Sequence, residues 1–476
     1  MSKRKKVIII GAGPAGLTAG YELIKKGFDV LIIEQDLMVG GIARTINYKN
    51  FRFDIGGHRF FTKNDEIQEW RYSILKDNFL VRKRLSRWYY RGKFFNYPII
   101  LFELVKIFGV FESFMILASF LKAKIFPIKP ERTLEDWCIN NFGYRLARPF
   151  FIDYNEKLWG VRPNKLSKDF ASQRIKGLSF ISTLKESAKK LLGIKKTNVK
   201  SFIEQFYYPK LGPGMLWEEV ENYIKSNGGV VLKGYKVIKV NHKNGKITSV
   251  VTRFDKSNKE FKADYVLSSM PLKELILSLS PEPPREIIEC AKFLSFRDFI
   301  TVALMINQNE TIPDTWVYTH DKEVKCIRIQ IFKNWSPFMV PEGKSCIGFE
   351  YTCKEGDEFW NKSDKELIEV AKLDLSKLGF AKLENVFDAK VIRMRNVYPV
   401  YELGYDHKVE KIKKYLTENF VKYNLQPIGR GGLHRYNNMD HSMMTAFLAV
   451  KNILGEGNFD QWKVNSDAEY HEEKNN

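Results

Sequence analysis

Gly11, Gly13 and Gly16 in Gly-Ala-Gly-Pro-Ala-Gly, followed by Glu34, are the first residues in the chain whose types and spacing could do chemistry. Gly11 suits a tight turn, Gly13 lets backbone approach a pyrophosphate, and Gly16 permits close helix–strand packing. Ala15 lies in the same turn and is counted with them as a cofactor contact. Amides at the start of the following helix would face the phosphates, and Glu34 would accept ribose hydroxyls. This is chemistry for a dinucleotide. No Ser–His–Asp or Cys–His set and no metal-ligand spacing is evident, so any nucleophile is expected to come from the cofactor. The contiguous Asp440-His441-Ser442 is not a hydrolytic triad, because neighbours at a helix start point in different directions. A helix N-cap there, with its dipole aimed at the cofactor, is the expected arrangement.

Local elements must hold these groups in place. Val7 to Ile10 is a β-branched, uncharged run suited to a strand buried on both faces of a parallel sheet. Leu17 to Lys26 carries helix-period apolar residues, and Asp29 to Ile33 reads as a second buried strand ending at Glu34. Gly229 to Leu232, Lys236 to Val240 and Tyr265 to Pro271 are expected to return to this domain. Phe299 to Met305, Cys326 to Phe332 and Ser345 to Tyr351 read as strands of a separate sheet, where a substrate would lie against the cofactor.

The Glu34, Gly40-Gly41-Ile-Ala-Arg44 arrangement resembles the FAD-binding superfamily of amine oxidases, protoporphyrinogen oxidases, carotenoid desaturases and UDP-galactopyranose mutases. That resemblance implies FAD rather than NAD, with Gly41 passing close to the cofactor and Arg44 near its phosphates. Val237 is counted as a further cofactor contact. Oxidases and desaturases of the superfamily end in a strand leading to Gly-Asp, whereas this chain has Ile428-Gly429-Arg430-Gly431-Gly432, then Tyr436-Asn-Asn438-Met-Asp440-His-Ser442. This is similar to the C-terminal signature of UDP-galactopyranose mutases, particularly the eukaryotic-type branch.

The likeness to those mutases extends over most of the chain. Phe53-Asp-Ile-Gly-Gly57-His58 resembles their mobile histidine loop, Asn96-Tyr97-Pro98 their tyrosine-proline element, and Arg148 to Val161 their uridine-binding helix. It implies that Tyr97, Phe150, Asn155 and Trp159 enclose a uridine, and that Arg174, Tyr318, Tyr398, Tyr436 and Asn438 contact flavin, diphosphate or sugar. Gly57, His58, Gly429, Arg430, Asp440 and Ser442 would meet the flavin. Arg328 and Arg430 are the expected diphosphate clamp, since guanidinium is a permanently charged, bidentate donor to developing negative charge. His58 would modulate the chemistry from the flavin face, with a purely structural turn histidine as the alternative. The implied reaction is pyranose–furanose interconversion of a nucleotide sugar for glycan precursor synthesis. In it, N5 of reduced FAD attacks the anomeric carbon, and NAD(P)H is a candidate reductant. An FAD-dependent oxidase or desaturase acting on an apolar substrate is the alternative. Three positions depart from the mutase pattern: Trp335 for a tyrosine, Ile100 for a glutamine and Ile203 for an asparagine.

Length and composition set the frame. A chain of 476 residues with 44% hydrophobic content allows two or three domains. The expected division is an α/β Rossmann-type FAD domain in three parts (1–97, 201–272, 425–463), a helical insert (98–200), a mainly antiparallel sheet domain (273–424) and a tail (464–476). Five cysteines without CxxC spacing argue against a disulfide framework, and the basic start runs straight into a strand rather than a cleavable apolar segment. A cytoplasmic location follows, free or peripheral at the inner face of a membrane. The net charge of +21 carries no nucleic-acid module, so nucleotide-sugar phosphates or an anionic membrane surface are the partners to expect, with a merely solvated basic surface as the bland alternative. Pro98 to Phe126 is apolar but interrupted by Glu103, Lys106, Glu112, Lys122 and Lys124. Two amphipathic helices packing on the core are expected there, with lipid as the other cover for their apolar faces.

Overall fold

A computed structural model describes residues 4–60, 62–96, 101–170, 205–420 and 424–465. Tyr97 and Arg174, as well as Ile100 and Ile203, lie outside the described residues. The uncharged run at the start becomes the strand Lys6–Ile10, central in a five-stranded parallel sheet ordered Leu425–Pro427, Tyr265–Ser268, Lys6–Ile10, Asp29–Glu34, Val230–Lys233. Val7, Ile8 and Ile9 have no exposed surface, because helices cover one face and a second sheet with further helices covers the other. Each such side chain contributes roughly 1.5–3 kcal/mol by its burial. The helix Pro14–Lys25 packs against Gly214–Ser226 and Met439–Leu454, so three distant stretches of chain share one apolar core. The fold is mixed α/β, with a Rossmann-type parallel sheet and a second, mainly antiparallel sheet.

That second sheet has seven strands, ordered Val386–Pro399, Phe296–Ile306, Ser345–Cys353, Arg328–Ile331, Trp316–Thr319, Ser86–Tyr90, Lys93–Asn96. Its last two strands correct the expected division, which placed residues up to 97 with the cofactor sheet. Ser86–Tyr90 pairs in parallel with Trp316–Thr319, setting Trp88 opposite Tyr318. Successive residues Trp88 and Tyr89 point to opposite faces, and each is buried in a different apolar cluster, a demand that only a sheet covered on both sides satisfies. The strand carrying Val237, Lys236–Lys243, belongs to a separate four-stranded sheet packed beside the parallel one. Phe332, expected to end a strand, instead opens a one-turn helix, Phe332–Trp335.

The insert is helical where it is described. Leu101–Ile125 is broken at Gly109 (φ 76°, ψ 171°), which divides it into two helices. Leu134–Phe142 starts on a capping box between Thr133 and Asp136, and a widened turn at Arg148–Ile152 leads into Asp153–Trp159. The expected core packing holds for one face of Leu101–Ile125, where Ile116, Phe120 and Ala123 are buried; Phe111, Phe114, Leu121 and Ile125 on the opposite face are exposed. Among the described residues no helix is long and apolar enough to cross a membrane. The expected tail begins later than residue 464, since Val464 O accepts from Arg435 Nη1 and Asn465 Nδ2 donates to Tyr436 O.

Candidate active site

The cofactor cradle forms where the parallel strands end. Glu34 is buried, and each carboxylate oxygen is anchored by an amide: Oε2 by Ala12 N at 2.6 Å and Oε1 by Asp36 N at 2.9 Å. Burial pushes this carboxyl upward while the two amides pull it down. A carboxylate has about four lone-pair sites, so acceptors remain for ribose hydroxyls. Gly16 cannot carry a side chain, because a Cβ there would strike Gly11 O. Gly429 is held at φ +73°, and a Cβ there would lie 2.9 Å from that of Ala15. Gly13 opens the helix with no side-chain cap, and its nearest neighbour in the Cβ direction is Gly41, at 3.9 Å. Gly13 and Gly41 thus bring two loops together with no side chain between them, and Gly429 sets a third loop against Ala15, beside uncapped helix amides. This donor set fits the pyrophosphate of FAD. Arg44 staples the second glycine turn, with Nε on Gly41 O (2.6 Å) and Nη2 on Asp36 (2.5 Å). Val237 packs with Ile10 and Ile33 below the cradle.

The C-terminal signature folds back over this cradle. Gly429 N donates to Thr445 Oγ1, and Arg430 donates from Nε to Asn437 O (2.8 Å) and from Nη1 to Val397 O (3.1 Å). The Arg430 guanidinium lies 4.6 Å from the ring centre of Tyr436 and 5.7 Å from that of Tyr398, two rings stacked at 5.4 Å and 9°. Asn438 caps Met439–Leu454 through a capping box with His441. His441 Nδ1 accepts from Asn438 N, and Ser442 Oγ donates to Asn438 O, so no proton relay links Asp440, His441 and Ser442. Burial pushes the Asp440 carboxyl up to about 7, opposed by the His441 amide and the Thr62 hydroxyl.

Opposite lies a basic pocket wall. Tyr318, Arg328 and Glu350 sit at one register across three adjacent strands. Arg328 Nε meets Glu350 Oε2 at 2.7 Å, and Gln330 Nε2 donates to Glu350 Oε1 at 2.8 Å. Burial works against the Arg328 charge, but Glu350, Tyr398 and Tyr318 outweigh it and keep the guanidinium protonated. His58 is pulled down to about 3, first by burial and then by repulsion from Arg430 and Arg328. It is therefore neutral; its Nδ1 lies 3.0 Å from Gly56 O, an acceptor, which assigns the ring proton to Nδ1 and leaves Nε2 able to accept. Gly57 lies close against the Gln330 amide, since a Cβ there would come within 2.9 Å of Gln330 Nε2. For Tyr318, burial raises the phenol, yet Arg328, Arg84 and Arg59 together bring it below its usual value. His58, Arg328 and Arg430, named separately from the sequence, thus come within electrostatic reach of one another.

Aromatic residues close the site. Trp159 meets Tyr398 edge-on at 6.0 Å and Phe170 at 4.8 Å, and Phe170 in turn meets Tyr436. Asn155 is committed within its own helix, accepting from Trp159 Nε1 (3.2 Å) and donating to Phe151 O (2.8 Å), so it orients the indole. Phe150 stacks on Trp88 at 5.2 Å and 25°, one layer from Tyr318. Trp335 is buried, with Nε1 donating to Thr315 O at 2.9 Å and its ring 3.4 Å from the Cβ position of Gly57. Arg59, Arg84, Tyr154, Gln330 and Glu350 escaped the sequence reading. Strand alternation could have placed Gln330 with Arg328, and Arg59 directly follows His58; for Arg84 and Glu350 no local signal exists.

An FAD-binding flavoprotein is what this cradle and sheet arrangement define. Residues 14–408 match the model of the flavin containing amine oxidoreductase family, and the chain belongs to that family. Among solved structures, reduced UDP-galactopyranose mutase is similar over 98% of both chains (TM-score 0.80, 20% identity). A putative protoporphyrinogen oxidase from Exiguobacterium is similar over 96% of this chain and 100% of its own (TM-score 0.69, 15% identity). In sequence, a 1-hydroxycarotenoid 3,4-desaturase from Flavobacterium is 26% identical over 301 residues, 56% of each chain. L-amino-acid oxidase from Crotalus adamanteus is 36% identical over 90 residues, 19% of this chain and 17% of its own. The chain thus spans less than two thirds of the length of these sequence relatives.

Proposed function

We propose that this flavoenzyme is a nucleotide-sugar mutase, interconverting pyranose and furanose forms of the UDP-galactopyranose/UDP-galactofuranose type, in glycan precursor synthesis in the cytoplasm. The observation that carries this reading is the convergence of Arg328 and Arg430 on His58, with Arg430 directly after the glycine of the C-terminal strand end. When bound and reduced, FAD would supply an electron-rich nitrogen as nucleophile toward the anomeric carbon, with NAD(P)H as a source of electrons. Arg328 and Arg430 would hold the diphosphate as charge develops on the departing oxygen. The stacked Tyr398–Tyr436 pair would present a flat wall that orients the sugar, and Trp159 and Phe170 would keep out water that could intercept the opened sugar. Neutral His58 would accept a hydrogen bond at Nε2 without adding positive charge.

The desaturase match over 301 residues supports a second reading, an FAD-dependent oxidase or desaturase of an apolar substrate. Redox stoichiometry separates the two. Dithionite-reduced protein is incubated without oxygen with UDP-galactose and a panel of other nucleotide sugars, and products are resolved by chromatography. The mutase reading expects an isomeric product, many turnovers per reducing equivalent, and no activity from oxidised protein. Stoichiometric oxygen consumption with a carotenoid or porphyrin, and no sugar isomerisation, would replace it with the second reading.

A further inference from the structure

The helix beyond the break at Gly109 carries one face that the other described residues leave uncovered. Phe111 is 78% exposed, Phe114 65%, Leu121 50% and Ile125 68%, with Leu117 also exposed. At about 100° per residue these side chains fall within a single arc of roughly 120°. The remaining circumference carries Ile116, Phe120 and Ala123, which face the protein. Polar residues would normally occupy the outer arc of such a helix, so the pattern is inverted relative to a solvated surface.

Charge on the borders of the stripe identifies its cover. Lys122 adjoins it on one side and Lys124 on the other, both exposed. The neighbouring acid Glu112 is already held by Arg145 at 2.9 Å. Two copies meeting through this face would oppose these lysines in a chain of net charge +21. A convex apolar strip one helix wide, edged by lysines whose stems can reach upward, suits a flat interface with anionic headgroups. We infer that this helix lies in the surface of an anionic membrane, its apolar stripe among the upper acyl chains and Lys122 and Lys124 at the phosphates. Just before the break, in the preceding helix, Phe108 contacts the ring of Phe150, which ties the docked helix through Gly109 to the wall of the active site. Docking of this kind does not depend on which flavin chemistry the site performs.

Flotation of the flavin-loaded protein with vesicles tests the inference. Vesicles of phosphatidylglycerol and phosphatidylcholine in equal parts should carry the protein upward, and phosphatidylcholine alone should carry at least tenfold less. Phe111→Ser with Leu121→Ser, and separately Lys122→Glu with Lys124→Glu, should each reduce binding at least tenfold while flavin content stays unchanged. A Phe114→Cys probe should react rapidly with a maleimide in solution and slowly once anionic vesicles are added, the native cysteines all being buried. Failure to float with anionic vesicles at low salt would overturn the inference. So would a slow Phe114→Cys reaction without lipid, which would mean that another part of the chain or a second copy covers the face.

Discussion

A guanidinium that receives developing negative charge must be fixed without being neutralised. Arg328 is held through Nε by Glu350, which is itself held by Gln330, and Arg328 Nη2 lies beside the Gly56 turn. Arg328→Lys keeps the charge but loses the planar fork, so turnover should fall on the order of 100-fold with flavin content unchanged. Absorbance and steady-state rates check both, and near wild-type turnover would place Arg328 outside the reaction. His320 offers a test of burial away from the reacting groups. It is buried beside Trp88, Phe150 and Tyr154, and burial followed by Lys157 lowers it to about 3. The unfolded chain takes up a proton near pH 6.5 that the folded chain refuses, so this site costs stability as pH falls below 6.5 toward 3. By pH 5 the linkage amounts to on the order of 2 kcal/mol. His320→Phe should remove that slope, so its melting temperature should drop less than that of the wild type between pH 7 and 5.

At the scale of elements, the junction between the strand Leu425–Pro427 and the loop at Gly429 is the most exacting. Gly429→Ala would strain a left-handed backbone by about 1–3 kcal/mol and press on Ala15, so flavin affinity should fall more than global stability does. Equal loss of both, followed by flavin titration and thermal melting, would make Gly429 merely structural. This scale also explains what the sequence made legible. The first strand, turn and helix are specified within thirty residues by Val7–Ile10, the glycines and Glu34, and Phe296–Ile306 and Ser345–Cys353 declare themselves as apolar runs. Ser86–Asn96 was misassigned because its partner strand lies more than two hundred residues away, and nothing local encodes that choice. Periodicity revealed that the Leu101–Ile125 segment is amphipathic, but not that its outward face stays bare. Arg84 and Glu350 were invisible for a related reason, since a charge cluster assembled from separate strands has no spacing in the sequence.

For the whole molecule, a net charge of +21 accompanies a site where Arg59, Arg84, Arg328 and Arg430 gather. A nucleoside-diphosphate substrate should be steered into it by a field that salt shortens, from a reach of about 20–30 Å at 10–20 mM to under 10 Å at 200 mM. KM for UDP-galactose should therefore rise several-fold across that range with kcat nearly constant, and a salt-independent KM would refute steering. The cradle built from three loops also has a temporal meaning. Gly13 and Gly41 leave the ribosome early, but Gly429, which closes the cradle against Ala15, follows about 390 residues later, on the order of tens of seconds at 5–20 residues per second. During that interval the nascent chain has the amides for a pyrophosphate but no lid over them, and translation arrested at residue 424 should yield colourless polypeptide. Yellow colour would thus certify that synthesis has passed Gly429.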